Sequence, residues 1–273
     1  MKAWADGQLL LDVHAPALPV LDHGVTVGDG VFETVKVVDG QPFALTRHLA
    51  RLARSAKGLG LEVPDEQRVR RAVAAVLDAE PPSLGKVRIT YTAGDGPMGS
   101  GRSLGSPRLI VVSDALEPPA PDVRVVTVPW VRNDRGALAG LKTTSYADNV
   151  VALAYAHERG ASEALFANTR DNLCEGTGSN VFYVVDGELR TPSLASGCLA
   201  GVSRALVLEW CGGREVDEPL GVLRQAEEIF LVGTTRDVQP VSAVDDRALD
   251  APGPVTARCM KVWAARAAER CDP

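Results

Sequence analysis

The sequence predicts a two-domain α+β protein, and three observations carry that prediction. Runs that alternate like strands are mixed with helix-period runs, without the regular spacing of βαβ units. No segment repeats with a period of about 20–50 residues. The stretch Leu116-Glu-Pro-Pro-Ala-Pro-Asp122 concentrates prolines that can continue neither a helix nor a central strand, so it reads as a linker. The division gives a small N-terminal α+β domain over residues 1–117 and a larger C-terminal α+β domain over residues 118–273.

The elements follow in order. Met1 to Leu11 reads as a strand pair turned at Asp6-Gly7, and Val31 to Leu45 repeats the pattern around Asp39-Gly40. Thr46 to Leu59 reads as a helix capped by Thr46, with Leu49, Leu52 and Ala56 on one face and Gly58 and Gly60 ending it. Asp65 to Leu77 is a second amphipathic helix. Lys86–Ala93 and Arg108–Ser113 read as strands. Beyond the linker, strands are expected at Val123–Val128, Glu163–Asn168, Asn180–Val185 and Glu228–Val232. Helices are expected near Ala147–Arg159, Val202–Trp210 and Val255–Arg270.

Composition narrows the function classes. The chain has 273 residues, 45% of them hydrophobic and 23% charged, as in an ordinary globular protein with a sizeable core. A formal net charge of −6 argues against a nucleic-acid-binding surface. No apolar run approaches the ~18 residues of a membrane span, and Met1 to Leu11 lacks the pattern of a signal peptide. Cys174, Cys198, Cys211, Cys259 and Cys271 form no C-x-x-C pair, which favours neither zinc nor a disulfide framework and suggests a reducing cytoplasm. The four histidines show no metal-ligand spacing, and no G-x-S-x-G elbow occurs.

Gly94-Asp-Gly-Pro-Met-Gly99 matches the dinucleotide pattern G-x-G-x-x-G and follows a strand. Such a site needs a helix opening at that point, so that its N-terminus meets the pyrophosphate. Here Pro97 interrupts, and Ser100 to Pro107 continues with loop composition, so the motif reads as a glycine loop overhanging a pocket.

The most informative stretch is Gly140-Leu-Lys-Thr-Thr-Ser-Tyr-Ala-Asp-Asn-Val-Val151, whose only lysine is Lys142. Four further segments accompany it. They are Asp22-His-Gly-Val-Thr-Val-Gly-Asp-Gly-Val-Phe-Glu-Thr34 with His48-Leu-Ala-Arg51, Leu173-Cys-Glu-Gly-Thr-Gly-Ser-Asn-Val-Phe182, Thr191 to Arg204, and Glu228 to Val241. Together and in this order they resemble the class IV aminotransferases, the fold-type IV family of pyridoxal 5′-phosphate (PLP) enzymes. That family contains branched-chain aminotransferases, D-amino-acid transaminases and 4-amino-4-deoxychorismate lyases. The resemblance runs from about Asp22 to Val241 and implies a two-domain fold-type IV architecture with the cofactor at the domain interface.

The resemblance also implies roles. Lys142 matches the Schiff-base lysine, whose amine must be neutral to attack and afterwards to move a proton. Glu175 matches the carboxylate that faces the pyridine nitrogen and keeps it protonated. On its own Glu175 also admits the reading of a solvated loop carboxylate, which its Glu-Gly-Thr-Gly-Ser-Asn setting disfavours. Tyr146 matches a tyrosine bonded to the ring's phenolic oxygen, and otherwise reads as a core aromatic. For the phosphate, Arg51 offers a guanidinium, Val202 and Ser203 open a helix, and Thr234 and Thr235 form a second nest of N–H groups with hydroxyls. Arg51 alone reads as a surface cation of an amphipathic helix beside Arg47 and Arg54. Arg88 falls at a carboxylate-related position, or is an exposed cross-strand partner. Val27, where many relatives carry an aromatic, and Phe32, Glu33 and Thr34 are expected to approach the substrate pocket, unless the last three form an ordinary alternating strand.

The implied reaction begins with removal of the Cα proton from a small-molecule amino substrate. The overall run looks most like the aminodeoxychorismate-lyase branch, which eliminates pyruvate to give 4-aminobenzoate. Transamination of D- or branched-chain amino acids is the alternative. The resemblance further implies a homodimer.

Overall fold

The computed structural model describes residues 1–102 and 107–273; residues 103–106, inside the Ser100–Pro107 stretch read as loop, lie outside the described residues. The chain divides into two compact units. The first comprises Met1–Pro118, Leu141–Tyr146 and Cys271–Pro273, and the second comprises Pro119–Gly140 and Ala147–Arg270. The linear division at residue 117 leaves Lys142 with the C-terminal part, whereas contacts group it with the first unit.

The first unit contains β1 (Lys2–Ala5), β2 (Gln8–Leu10), the one-turn helix α1 (His23–Thr26), β3 (Gly30–Val38), β4 (Gln41–Pro42), α2 (Leu45–Gly58), α3 (Glu66–Ala79), β5 (Leu84–Thr92) and β6 (Arg108–Ala115). Its strands form one sheet in the order β2-β1-β6-β5-β3-β4, with every pair antiparallel. Both Asp-Gly signals turn hairpins: Asp6 and Gly7, then Asp39 and Gly40, have positive φ, the conformation that tight hairpins favour. On one face Val31, Val35, Val87, Ile89 and Val111 pack against Leu49, Leu52 and Ala56 of α2 and Val69, Val73 and Val76 of α3. The apolar stripe read from α2 is therefore its buried face.

Two local expectations change. Asp65 is the N-cap of α3, its carboxylate accepting from the Arg68 N–H at 2.6 Å. Thr46, expected to cap α2, instead lies in that helix's first turn, and the cap position is Ala44 at φ 54 with no side-chain hydrogen bond. The capping acceptor comes from the far end of the chain. Asp272 takes the Thr46 N–H at 3.0 Å and its hydroxyl at 2.6 Å, and the Cys271 carbonyl takes the Ala44 N–H at 2.7 Å. An acceptor 226 positions away leaves no local sequence signal.

The second unit contains β7 (Val123–Arg132), α4 (Ala147–Glu158), β8 (Glu163–Asn168), β9 (Leu173–Gly176), β10 (Asn180–Val185), β11 (Glu188–Pro192), α5 (Val202–Cys211), β12 (Arg214–Val216), β13 (Glu228–Gly233), β14 (Asp237–Val244), β15 (Arg247–Ala248) and α6 (Pro254–Glu269). Its sheet runs β12-β11-β10-β13-β14-β7-β8-β9, with β15 beside β14. The β7–β8, β7–β14 and β11–β12 pairs are parallel and the rest antiparallel. All six residues of β8 and of β10 are buried, so these strands read as apolar runs rather than alternating ones. Among the described residues no helix is long and apolar enough to cross a membrane.

Leu52 is 1% exposed at the centre of the first core. Its replacement by alanine is expected to destabilise the protein by about 2–5 kcal/mol, read as a lowered denaturant midpoint.

Candidate active site

Within the first unit, Lys142 is fixed by its main chain. The Phe32 N–H donates to the Lys142 carbonyl at 3.1 Å, the Thr144 N–H to the Gly30 carbonyl at 2.8 Å, and Val31 bridges Thr143. The Lys142 N–H in turn donates to the Ser55 hydroxyl at 3.2 Å. Ser55 lies one helical turn after Arg51, so the lysine segment hangs from the helix that carries Arg51. Gly28 completes the support: its carbonyl accepts from the Thr144 and Ser145 hydroxyls, at 2.9 and 3.1 Å. A Cβ there would stand 2.7 Å from the Ser145 Oγ, and its φ is +70, so glycine is required. Val27, which ends α1 just before it, is 43% exposed.

The side chains gather on the sheet face opposite the core. Lys142 Nζ lies 4.2 Å from the centre of the Phe32 ring and 5.7 Å from that of Tyr146. The two rings meet edge to face at 5.3 Å, and the Arg88 guanidinium carbon stands 3.8 Å from the Phe32 ring. Thr34 shares this face and pairs directly with Arg88 across β3 and β5. Lys142, Tyr146, Phe32, Arg88 and Thr34 are thus brought together.

Glu33 is not part of that group. The pleat turns it to the helix side, where its fully buried carboxylate takes two hydrogen bonds from Arg51, Nε and Nη2, both at 2.7 Å. The His48 Nδ1 donates to the same carboxylate at 2.7 Å. Burial alone would raise the Glu33 carboxyl, but the Arg51 charge and the hydrogen bonds from Arg51 and His48 outweigh it and hold it at about 2, from an ordinary 4.5. Arg51 is buried too, so the surface-cation reading fails. One edge of its guanidinium is committed to Glu33, which fixes the plane of the group.

The second unit gathers the other expected residues. Glu175, half-buried at the end of β9, accepts from the Leu199 N–H at 2.9 Å and from the Asn180 amide at 3.4 Å. Its other oxygen lies 3.3 Å from Arg132 Nε, an ion pair whose guanidinium also covers the Phe166 ring at 4.3 Å. Asn180 Nδ2 donates to the Leu199 carbonyl at 3.0 Å, and its Oδ1 occupies the space that a Cβ on Gly201 would need. This close approach seats Glu175 beside the N-terminus of α5. Gly201 is the N-cap there, no side chain caps the helix, and Val202 and Ser203 supply its first N–H groups. The turn Thr234-Thr235-Arg236 follows β13, and a Cβ on Gly233 would lie only 3.4 Å from the Gly178 carbonyl, so this turn packs on the segment after Glu175.

These residues fit an aldehyde that carries a phosphate and a basic ring. The uncapped α5 N-terminus and the hydroxyl-bearing turn suit an anion, and the Glu175 carboxylate is oriented by donors rather than left in solvent. Neighbouring thiols offer no competing nucleophile: burial, then the Glu175 charge, pushes the Cys198 thiol up to about 11 and raises the Cys174 thiol as well. Sequence reasoning missed Arg132, which sits in a strand with no motif around it. A groove of about 580 Å³ lined by Thr127, Leu220, Arg224, Asp245 and Arg247, among others, contains none of the residues singled out from sequence.

Gly94–Gly99 opens no helix, so the dinucleotide pattern lacks its phosphate-binding element. The His23 Nε2 donates to the Pro97 carbonyl at 2.9 Å and pins this loop instead.

The profile of the amino-transferase class IV family matches residues 30–244, and the chain belongs to that family. It is 31% identical to a putative branched-chain-amino-acid aminotransferase of Methanocaldococcus jannaschii, over 92% of this chain and 90% of that one. It is 30% identical to a bifunctional aminodeoxychorismate lyase / D-amino acid transaminase of Mycobacterium tuberculosis, over 91% and 93%. A solved fold IV-transaminase from Curtobacterium pusillum superposes with a TM-score of 0.84 at 34% identity, covering 95% of this chain and 93% of that one. The expected fold-type IV architecture is borne out, and the protein is a PLP-dependent class IV enzyme acting on small-molecule amino substrates.

Replacing Glu33 by glutamine is expected to destabilise the protein at pH 7 by about 3–5 kcal/mol, because Arg51 is left buried without its anion. A carboxylate with a depressed pKa stabilises the fold above its ordinary pKa of 4.5, and loses that contribution as the pH falls toward about 2. Denaturant titrations of both proteins at pH 7 and pH 3 should therefore show the difference shrinking at the lower pH.

Proposed function

We propose that this enzyme is a transaminase of small α-amino acids, D-amino or branched-chain, with a 2-oxo acid as acceptor. The observation that carries the reading is the grouping of the Lys142 amine, the Phe32 and Tyr146 rings and the Arg88 guanidinium on one face of the first sheet. Lys142 would hold the cofactor aldehyde and, once displaced by substrate, take the Cα proton and return it. Arg88 supplies a fixed cation for the substrate carboxylate. Tyr146 would bond the ring's phenolic oxygen. Arg51, the N–H groups of Val202 and Ser203, and the Thr234–Thr235 turn would hold the phosphate. Glu175 would face the ring nitrogen, with Arg132 and the Leu199 N–H favouring its anion. The bound cofactor supplies an aldehyde and an electron-accepting ring. Phe32, Thr34 and Val27 would shape the substrate side.

The names of all three relatives given above include aminotransferase or transaminase, which supports amino transfer. The aminodeoxychorismate lyase reading, ranked first on sequence, is kept as the second because the Mycobacterium tuberculosis relative is named for both activities. The two share the proton removal by Lys142. They differ in whether that proton is redelivered or a leaving group departs from the substrate as pyruvate.

The test is to incubate the PLP-loaded enzyme with D-alanine or L-leucine and 2-oxoglutarate, and separately with aminodeoxychorismate. Pyruvate from D-alanine or 2-oxo-4-methylpentanoate from L-leucine, with matching glutamate, is expected. Formation of 4-aminobenzoate with no amino transfer would overturn the first reading in favour of the second. Lys142→Ala is expected to lower turnover at least ~100-fold, measured in the same assays.

A further inference from the structure

Glu163 opens β8, a strand whose six residues are all buried, and is itself 1% exposed. A carboxylate in such a place demands partners, and six donors converge on it. One oxygen accepts from the Ala164 N–H at 3.0 Å, the Thr177 N–H at 2.9 Å and the Thr177 hydroxyl. The other accepts from the Ser179 hydroxyl at 2.9 Å, the Gly178 N–H at 3.4 Å and Arg236 Nη2 at 3.5 Å. A Cβ on Gly176 would stand 3.1 Å from the Glu163 carboxyl carbon, so glycine allows the chain after Glu175 to lie against it. Arg236 extends the network: Nη1 donates to the Gln239 side chain at 2.6 Å and Nη2 to the Ser162 carbonyl at 3.3 Å.

The placement of these partners gives the network a purpose beyond packing. Thr177, Gly178 and Ser179 belong to the turn that follows Glu175, and Arg236 belongs to the turn formed with Thr234 and Thr235. We propose that Glu163 is a positioning residue that locks these two turns at one spacing. It would thereby fix the distance between the carboxylate facing the cofactor's ring nitrogen and the hydroxyls that hold its phosphate. This inference rests on the cofactor contacts assigned under Proposed function. Among the described residues, the six groups around Glu163 are placed to donate to its carboxylate. A glutamine there would turn its own N–H groups toward some of those donors.

The experiment titrates PLP and pyridoxal, which lacks the phosphate, into the purified full-length apoenzyme, and records the visible band of the bound cofactor. For Glu163→Gln a loss of PLP affinity of at least tenfold is expected, with a smaller loss for pyridoxal and a shifted band. Should that variant fail to fold, Arg236→Gln and Ser179→Ala each cut one end of the brace. The first is expected to lower the preference for PLP over pyridoxal, and the second to shift the band while leaving the preference closer to that of the parent. A Glu163→Gln protein with a lower melting temperature but an unchanged band and unchanged preference would overturn the proposal, leaving Glu163 a purely structural group. Thr235→Val and Glu175→Ala, measured alongside, report on the cofactor contacts themselves. If neither changes preference or band, the assignment of those contacts fails, and the brace falls with it. If they do and Glu163→Gln does not, the brace alone is wrong.

Discussion

The Glu33–Arg51 ion pair is the interaction on which the placement of Lys142 within the first unit depends. An arginine buried beside an apolar core is tolerable only with its charge answered, and Glu33 answers it with two parallel hydrogen bonds. The pair ties α2 to β3. Because Ser55 of α2 receives the Lys142 N–H while Phe32 of β3 donates to the Lys142 carbonyl, one tie governs both supports of the lysine segment. The pleat of β3 then divides the labour: odd positions from Val31 to Val37 build the core and the ion pair, while Phe32 and Thr34 lie on the face that holds Lys142 and Arg88.

The second unit solves a related problem with backbone donors. Glu175 is oriented by the Leu199 N–H and Asn180, and Glu163 by N–H and hydroxyl groups of the segment that follows Glu175. Carboxylates held in this way are pre-organised, so little ordering remains to be done when a ligand arrives. Glycine makes the close approaches possible at Gly176 and Gly201, where a Cβ would run into the Ser179 hydroxyl or the Asn180 side chain.

Much of this was legible in the sequence wherever the cause is local. The Asp-Gly turns and the apolar stripes of α2 and α3 depend on residues within a few positions of one another. The roles of Lys142, Tyr146 and Arg88 came from the family resemblance that the ordered motifs carry. What escaped was set by partners distant in the chain. Glu33 was expected near the pocket, but its facing depends on His48 and Arg51 waiting behind the sheet. Lys142 falls after the proline-rich stretch, yet strand-like bonds to Gly30 and Phe32 draw it to the first unit. Arg132 and Glu163 sit in strands that carry no motif. A charge opening the apolar run Glu163-Ala-Leu-Phe-Ala was the available signal for the latter, because a buried strand does not carry an acid without partners.

The bonds between Asp272 and Thr46 also bear on α2. The last three residues stitch onto the first turn of α2, the helix that bears Arg51 and Ser55, and Arg47 reinforces the seam by donating to the Pro273 carbonyl at 2.9 Å. Replacing Asp272 by alanine would therefore loosen the first turn of the helix that carries Arg51 and Ser55, although neither residue lies near Asp272 in sequence.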